Sequence, residues 1–427
     1  MKWAVSMLIF SVAVLIGLGM VMLYSSSMNM DAVQKKQKSA AAAPANNAGF
    51  PAGTKPAAQP GDPAPPAANG ASPNGETDKP AVGTQYLLSQ LEWFLFGLAC
   101  CVVAASMDYR RLKTLSPWLL GLSVLLLILV FVPSIGHPIN GARRWIARPG
   151  LPHFQPSELA KLSLILFLSA YADRYQRQMA GFRKGMVIPG AVMAVVLALI
   201  YFEPDRGCTI LLAAVCGVVW FVAGVRVSFL ALLAALAAAA MAVSFRHDPM
   251  RMGRIMAWLH PDANKDGVGY QVREGIIALG SGGWFGLGLG NGRQKLGFVP
   301  EHHTDFIFSI IGEELGLVAT LAVLALFIVL VLCGILIARR SSDAFGMLLG
   351  TGLTFMIGFQ AFINIGVNTG VVPNKGMPLP FISYGGSNLV LMLACVGLLI
   401  SIARFATEEL SQKSSNPFEA AMEPSHA

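Results

Sequence analysis

Two histidines and two carboxylates fall within five residues in the run Val299-Pro300-Glu301-His302-His303-Thr304-Asp305. Groups of this kind do acid–base work when they are held over a substrate. The chain then passes without a spacer into Phe306-Ile307-Phe308-Ser309-Ile310-Ile311-Gly312-Glu313-Glu314-Leu315, which is strongly apolar apart from its paired glutamates. The pattern predicts an extramembrane loop closing onto the first turn of a membrane helix, with Asp305 at the helix mouth. At 1.5 Å per residue, Glu313 and Glu314 follow about 12–14 Å further along the axis. Carboxylates inside a hydrocarbon layer are costly and normally face a cavity, a partner or a substrate path. At about 100° per residue, Glu313 lies some 80° around from Asp305 and Glu314 near the opposite face, so both cannot line one pocket with it. Glu313 and Glu314 therefore read as polar-cavity or packing groups, and Asp305 as the candidate base. The helix N-terminus favours its charged form and burial its neutral form, and the residues alone leave that balance open.

Composition defines the elements that must hold this cluster. The chain has 427 residues, 55% of them hydrophobic and only 13% charged, against about a quarter charged in soluble domains. Repeated apolar runs near 20 residues make it an all-α polytopic membrane protein, and the lack of long period-2 alternation excludes a membrane barrel. Runs at 3–24, 86–106, 115–133, 158–172, 186–202, 209–225, 227–243, 306–338, 347–370 and 387–404 predict about ten transmembrane helices. Residues 1–24 read as a retained first helix and 25–85, rich in Ala, Pro, Gly and Asn, as a disordered extracytoplasmic linker. Residues 86–405 form the membrane domain and 406–427 a cytoplasmic tail. Lys and Arg in the short loops place both termini in the cytoplasm and a large loop between the seventh and eighth helices outside. Asp305 then faces a compartment without ATP, so its chemistry must use an energised group on the substrate. The net charge of +8 suits anionic lipid or an anionic substrate, while the scattered basic residues exclude nucleic acid. The six cysteines have neither disulfide nor metal-ligand spacing and read as small buried hydrophobes.

Other motifs carry two readings each. Arg143-Arg144-Trp145 could grip a phosphate bidentately or serve as an interfacial anchor. Glu158 and Lys161, three apart on one helix face behind a Ser157 cap, mark either a polar cavity or an internal pair that fixes packing. Glu203-Pro204-Asp205-Arg206-Gly207 reads as a structural turn. Asp262-Ala263-Asn264-Lys265-Asp266-Gly267 begins like a calcium loop, but Arg273 occupies the position of the closing glutamate, so an Asx-rich turn fits better. Gly280 to Gly290 lacks the ending of a nucleotide-binding loop and predicts close backbone approach in a re-entrant segment. Asn374 to Ser387 holds too much proline and glycine for a plain helix. It predicts an ordered loop at membrane depth around a cavity, with Lys375, Ser383 and Ser387 available to a negatively charged, lipid-borne group.

Several stretches together resemble the SEDS (shape, elongation, division, sporulation) family. They are Met22-Leu23-Tyr24-Ser25-Ser26, Arg144-Trp145-Ile146, Gln155-Pro156-Ser157-Glu158, Pro204-Asp205-Arg206-Gly207, Gly269-Tyr270-Gln271, Gln294-Lys295, the Pro300–Glu314 block and Pro380-Phe381-Ile382-Ser383-Tyr384-Gly385-Gly386-Ser387. Gly312-Glu313-Glu314 and Lys375 are closer to its division members, while Pro378 follows its elongation members. Gly297 stands where some division members carry an acid. The resemblance implies a ten-helix peptidoglycan glycosyltransferase that polymerises lipid II outside the membrane during septal synthesis. It implies Asp305 as catalytic base, Arg144, Lys161, Lys375, Glu301, His303 and Ser383 around the substrate, and Glu158, Glu313 and Glu314 in the polar interior. No organic cofactor is implied; a divalent cation, Mg²⁺ or Mn²⁺, is compatible, and its ligands stay open. The implied partners are lipid II, membrane lipid, a single-pass class B penicillin-binding protein and other divisome proteins. A lipid II flippase is the rival reading.

Overall fold

The structure, a computed structural model, describes residues 1–42, 82–133, 135–139, 142–146, 154–246, 249–260, 269–294 and 303–415. Its helices are α1 (Lys2–Ala42), α2 (Val82–Ser106), α3 (Arg111–Val130), α4 (Pro156–Arg174), α5 (Ile188–Phe202), α6 (Arg206–Val222), α7 (Val227–Arg246), α8 (Pro249–Leu259), α9 (Tyr270–Ser281), α10 (Ile307–Arg339), α11 (Ala344–Asn368) and α12 (Gly386–Ser415). Each of the ten predicted runs falls on a helix. Eight helices are long and apolar enough to cross a membrane by themselves: α1, α2, α3, α5 with its leading turn, α7, α10, α11 and α12. The protein is an integral membrane protein.

The other two predicted spans, α4 and α6, are positioned by their neighbours. α4 carries buried Ser157, Glu158, Lys161, Ser163 and Ser169, and it packs against α3, α6 and α11. A helix with such groups is tolerated at membrane depth because protein surrounds it. α11 and α12 are the other central helices, while α2 and α7 present most of their surface outward.

α1 does not stop at Tyr24. It continues to Ala42, because residues 25–42 contain neither proline nor glycine and Pro44 is the first residue to forbid a helix. Helix thus occupies both ends of the expected linker, at 25–42 and 82–85, and residues 43–81 lie outside the described residues, as does the tail beyond 415. The all-α expectation also omitted a small hairpin. Strands β1 (Gly136–Ile139) and β2 (Ala142–Ile146) pair antiparallel, Gly136 opposite Ile146 and Ile139 opposite Ala142. The large loop after α7 contains α8 and α9, and the calcium-like residues 262–267 lie outside the described residues.

α10 is long enough to tilt, but it breaks instead. At Gly316 the backbone turns to φ 79°, ψ −174°. The freed carbonyls of Glu313 and Glu314 accept the N–H groups of Leu287 and Gly288 at 2.9 and 3.0 Å, and Leu317 and Val318 donate to Gly283 and Trp284. The glycine-rich segment thus satisfies the interrupted helix, as an irregular backbone at membrane depth requires. A Cβ on Gly316 would lie 2.4 Å from the nitrogen of Gly286. Gly316→Ala is therefore expected to cost about 2–4 kcal/mol, read as a lower thermal midpoint of the solubilised protein; an unchanged midpoint would show that the break does not need glycine.

Chain alternation sorts the polar segments to two ends of the bundle. One end carries the hairpin, the 203–206 turn, α8, α9, residues 303–305 and residues 371–385. The other is tied by Tyr109 donating to Asp343 and by the pairs Arg110–Glu409 and Lys113–Asp173.

Candidate active site

At the first of these ends a cavity of about 1040 Å³ opens between the central helices. Asp305, Arg144, Lys375, Glu158 and Lys161 all line it, so five sequence-predicted residues from four separate segments share one space.

Asp305 sits in the turn before α10 and is held through its backbone. Its carbonyl accepts the side-chain N–H groups of Asn364 and Asn368, both at 2.9 Å. Asn368 also accepts the N–H and hydroxyl of Ser309 in the first turn of α10, and Asn364 donates to the carbonyl of Met377 at 2.6 Å. Gln360, one turn earlier on α11, donates to the carbonyl of Pro378 at 3.0 Å. Gln360, Asn364 and Asn368 thus form a ladder at i, i+4 and i+8 on one helix face. The sequence reading missed this ladder, although its spacing was legible. It clamps the Asp305 turn and the 376–378 loop to one rigid helix. Gly376 makes the close approach feasible: a Cβ there would lie 2.7 Å from Oδ2 of Asp305.

The 371–385 loop is an ordered, non-helical segment, as predicted. Buried Phe381 takes φ 66°, a conformation rare for a bulky residue and kept only where the surroundings over-determine it. Gln90 of α2 accepts the Gly385 N–H at 3.3 Å and donates to the Ser383 carbonyl. Ser383, expected to touch substrate, is committed internally: its hydroxyl donates to the Thr304 carbonyl at 2.5 Å and accepts the Leu379 N–H at 2.7 Å. It is a positioning residue for the Asp305 turn.

The ring of His303 packs with Tyr86 and Tyr384, its centroid 5.5 and 6.0 Å from theirs. His303 is not among the cavity-lining residues, and Glu301 lies outside the described residues. Glu313 accepts the backbone N–H of Arg293 at 2.7 Å and of Gln294 at 3.2 Å. Glu314 accepts the Ser25 hydroxyl at 2.6 Å and the Gly290 N–H at 3.2 Å. Both glutamates pin the glycine-rich segment, Glu314 tying it also to Ser25 within α1, and Glu313 lines a smaller cavity of about 440 Å³ with Ser281, Arg293 and Gln294.

Deeper in the cavity, Lys161 pairs with Glu158 at 2.9 Å and donates to Gln360 at 3.3 Å, while Asn388 of α12 donates to Glu158 at 3.1 Å. The two readings of this pair merge, since it both lines the cavity and joins α4, α11 and α12. Arg144 on β2 spends two donors on the turn after α5, reaching the carbonyls of Glu203 at 3.0 Å and Pro204 at 2.7 Å.

That turn is structural but also part of the cavity wall. Asp205 caps α6 by accepting the Cys208 N–H at 3.1 Å, and Asp205 and Arg206 both line the cavity. The sequence reading places both in a structural turn and not at the site, because such charges are common at helix ends. Arg254 on α8 reaches the same cavity. Glu203 is fully buried, and both its carboxylate oxygens lack a partner among the described residues. Burial, then the charge of Asp205, pushes it up to about 8 against the opposing pull of Arg144. An unfolded glutamate titrates near 4.3. Between about pH 4.3 and 8 the folded state therefore binds one proton more than the unfolded state, and stability falls as pH rises through this window. Glu203→Gln is expected to flatten that fall in thermal midpoints measured from pH 5 to 9. Parallel profiles for variant and parent would refute the assignment.

No group of three or more His, Cys, Asp or Glu side chains among the described residues is arranged to hold a metal ion.

Comparison with known proteins agrees with this architecture. A curated relative from Geobacter metallireducens, a probable peptidoglycan glycosyltransferase FtsW, is 39% identical over 322 residues, covering 75% of this chain and 85% of its own. A protein of the same description from Coxiella burnetii is 39% identical over 321 residues, covering 74% and 86%. Among solved structures, a chain of a peptidoglycan synthase complex that coordinates polymerization and crosslinking superposes with a TM-score of 0.67 at 30% identity, covering 93% of this chain and 97% of that one. The rod shape determining protein RodA of Thermus thermophilus superposes with a TM-score of 0.59 at 27% identity, covering 93% and 95%. The FtsW/RodA/SpoVE family of cell cycle proteins matches residues 75–408, more than three quarters of the chain, and the chain belongs to this family.

Proposed function

We propose that this protein is a peptidoglycan glycosyltransferase that polymerises lipid II on the outer face of the cytoplasmic membrane during septal wall synthesis. The observation that carries the reading is the placement of the Asp305 carboxylate in the wall of a cavity that also holds Arg144 and Lys375. A sugar hydroxyl of one lipid II attacks the anomeric carbon of another, and Asp305 takes the hydroxyl proton. The bond from that carbon to the pyrophosphate oxygen breaks, and undecaprenyl pyrophosphate departs with the electron pair. Cations beside it offset the charge that develops on the leaving oxygen. No nucleotide is needed, because the donor carries its own leaving group.

This reading places both termini in the cytoplasm, which puts the Lys- and Arg-rich short loops inside and Asp305 outside. The match to a peptidoglycan synthase complex chain supports a transpeptidase partner of the class B penicillin-binding type. Against a flippase stands the inner end of the cavity, where Lys161, Glu158, Gln360 and Asn388 are bonded to one another. The test is purified protein with labelled lipid II, in detergent with the partner and in sealed vesicles. Glycan chains are expected in the first; translocation in vesicles without any polymer would establish the flippase instead.

A further inference from the structure

We propose that the end of the bundle opposite Asp305 carries a binding site for an anionic phospholipid, built by the α4–α5 connection and the turn between α6 and α7. Five cations gather there: Arg174, Arg177, Arg183, Lys184 and Arg226. They come from the last residue of α4, the connection to α5 and the residue before α7, which chain alternation puts at one end of the bundle. Four of them are exposed and Lys184 is half-buried. The site shares no residue with the cavity around Asp305. Only its assignment to the inner leaflet rests on the cytoplasmic placement of both termini.

Nothing in these segments offsets the charge. Residues 174–202 hold no Asp or Glu, and neither do residues 206–246. The acid next in the chain, Asp173, is paired with Lys113 of α3. None of the five cations has an acidic partner among the described residues. Clustered like charges repel, and an anion brought among them relieves that repulsion.

Aromatic rings hold the charges in place. Lys184 Nζ lies 4.7 Å from the centroid of the Tyr175 ring and the Arg174 guanidinium 5.7 Å from it. Tyr171 packs on Tyr175 at 4.8 Å and donates its hydroxyl to the Lys184 carbonyl at 3.0 Å. Next to Arg183, Phe182 packs edge-on to Phe229 of α7 at 5.6 Å, and the Arg226 guanidinium lies 6.0 Å from the Phe229 centroid. The rings thus join the end of α4, the connection and the start of α7. Contact with a ring leaves the N–H groups of the cation for an anionic oxygen. The connection itself is tightly built. Phe182–Val187 is a π-helical turn, and a Cβ on Gly185 would lie 1.9 Å from the Met179 carbonyl oxygen. Turns of this kind are rare and concentrate at functional sites.

Apolar surface beside the charges selects a lipid over a free anion. Phe182, Val187, Ile188, Phe221, Val222 and Val227 are all exposed, and they continue into α5 and α7, whose surfaces face largely outward. A soluble phosphate would meet the cations and leave these side chains bare. A phospholipid covers them with its acyl chains while its phosphodiester reaches the cations. The headgroup must be net negative, because a zwitterionic one brings an ammonium that five cations repel.

The experiment is native mass spectrometry of the full-length, detergent-solubilised protein titrated with dioleoyl phosphatidylglycerol. Dioleoyl phosphatidylcholine, with the same acyl chains, and glycerol 3-phosphate, with none, are titrated in parallel. Phosphatidylglycerol is expected to bind about tenfold more tightly than either. Arg183→Gln/Arg226→Gln is expected to weaken it roughly twentyfold, about fivefold for each cation, and to leave phosphatidylcholine binding unchanged. Arg183→Lys/Arg226→Lys, which keeps both charges, is expected to retain most of the affinity. Arg339→Gln/Arg340→Gln removes as much charge from the same end of the bundle, at the close of α10, and is expected to bind as the parent does. The proposal is overturned if the parent does not prefer phosphatidylglycerol to phosphatidylcholine, a comparison that needs no variant. It is equally overturned if glycerol 3-phosphate binds as tightly, or if the two glutamine double variants weaken the lipid alike, the mark of diffuse surface charge. Displacement of the lipid by a polyglutamate peptide that binds more tightly would overturn it too, and would assign the surface to an acidic protein segment.

Discussion

Asp305→Asn is expected to abolish glycan synthesis while leaving the protein folded. A positioned general base contributes about 10²- to 10⁴-fold, and an amide in its place cannot take the hydroxyl proton. The substitution is close to isosteric, and backbone carbonyls take the side-chain hydrogen bonds that seat this turn. Asn364 and Asn368 hold the carbonyl of Asp305, and Ser383 holds that of Thr304. The turn should therefore keep its place, the thermal midpoint should match the parent, and the loss should fall on kcat rather than on KM. Chains of parental length and yield from the purified variant would remove Asp305 from the mechanism.

The second large effect is on stability. Lys161 is 2% exposed and Glu158 6%, so Lys161→Met strands a carboxylate inside the bundle, where the Asn388 side chain donates to it at 3.1 Å but carries no compensating charge. Breaking one side of a buried ion pair typically costs about 3–5 kcal/mol, whereas replacing both partners by uncharged groups of similar volume is far milder. Lys161→Met is accordingly expected to lower the unfolding midpoint sharply, and Glu158→Gln/Lys161→Met to recover much of the difference. If the double variant is as unstable as the sum of the singles, the pair is not coupled as the geometry requires.

The ten apolar runs, the helix mouth at Asp305, the shared face of Glu158 and Lys161 and the ordered loop, predicted at 374–387 and found to end where α12 begins at Gly386, were all legible in the sequence. Each depends on residues within a few turns of one another, where length, periodicity and local backbone chemistry suffice. Legibility failed where a helix meets something distant. The paired glutamates of α10 could not be assigned because their partners, Ser25 and Gly290–Gln294, lie in other segments. The break at Gly316 was invisible because a glycine in an apolar helix is unremarkable until the 283–288 backbone is seen against it. The Gln360–Asn364–Asn368 ladder had a readable spacing, but only the loop and turn packed on it give those amides a task.

By itself, then, the sequence determined that this is a polytopic helical membrane protein with a candidate base at a helix mouth. Only the tertiary structure decided what surrounds that base. Arg206, Arg254 and Lys375 line its cavity from segments 48 and 121 residues apart in the chain, and the Ser383 hydroxyl braces the Thr304 carbonyl. Helix formation is governed by neighbours along the chain and by the solvent around it, whereas the convergence of charges on one cavity is set by long-range packing, which no local pattern encodes.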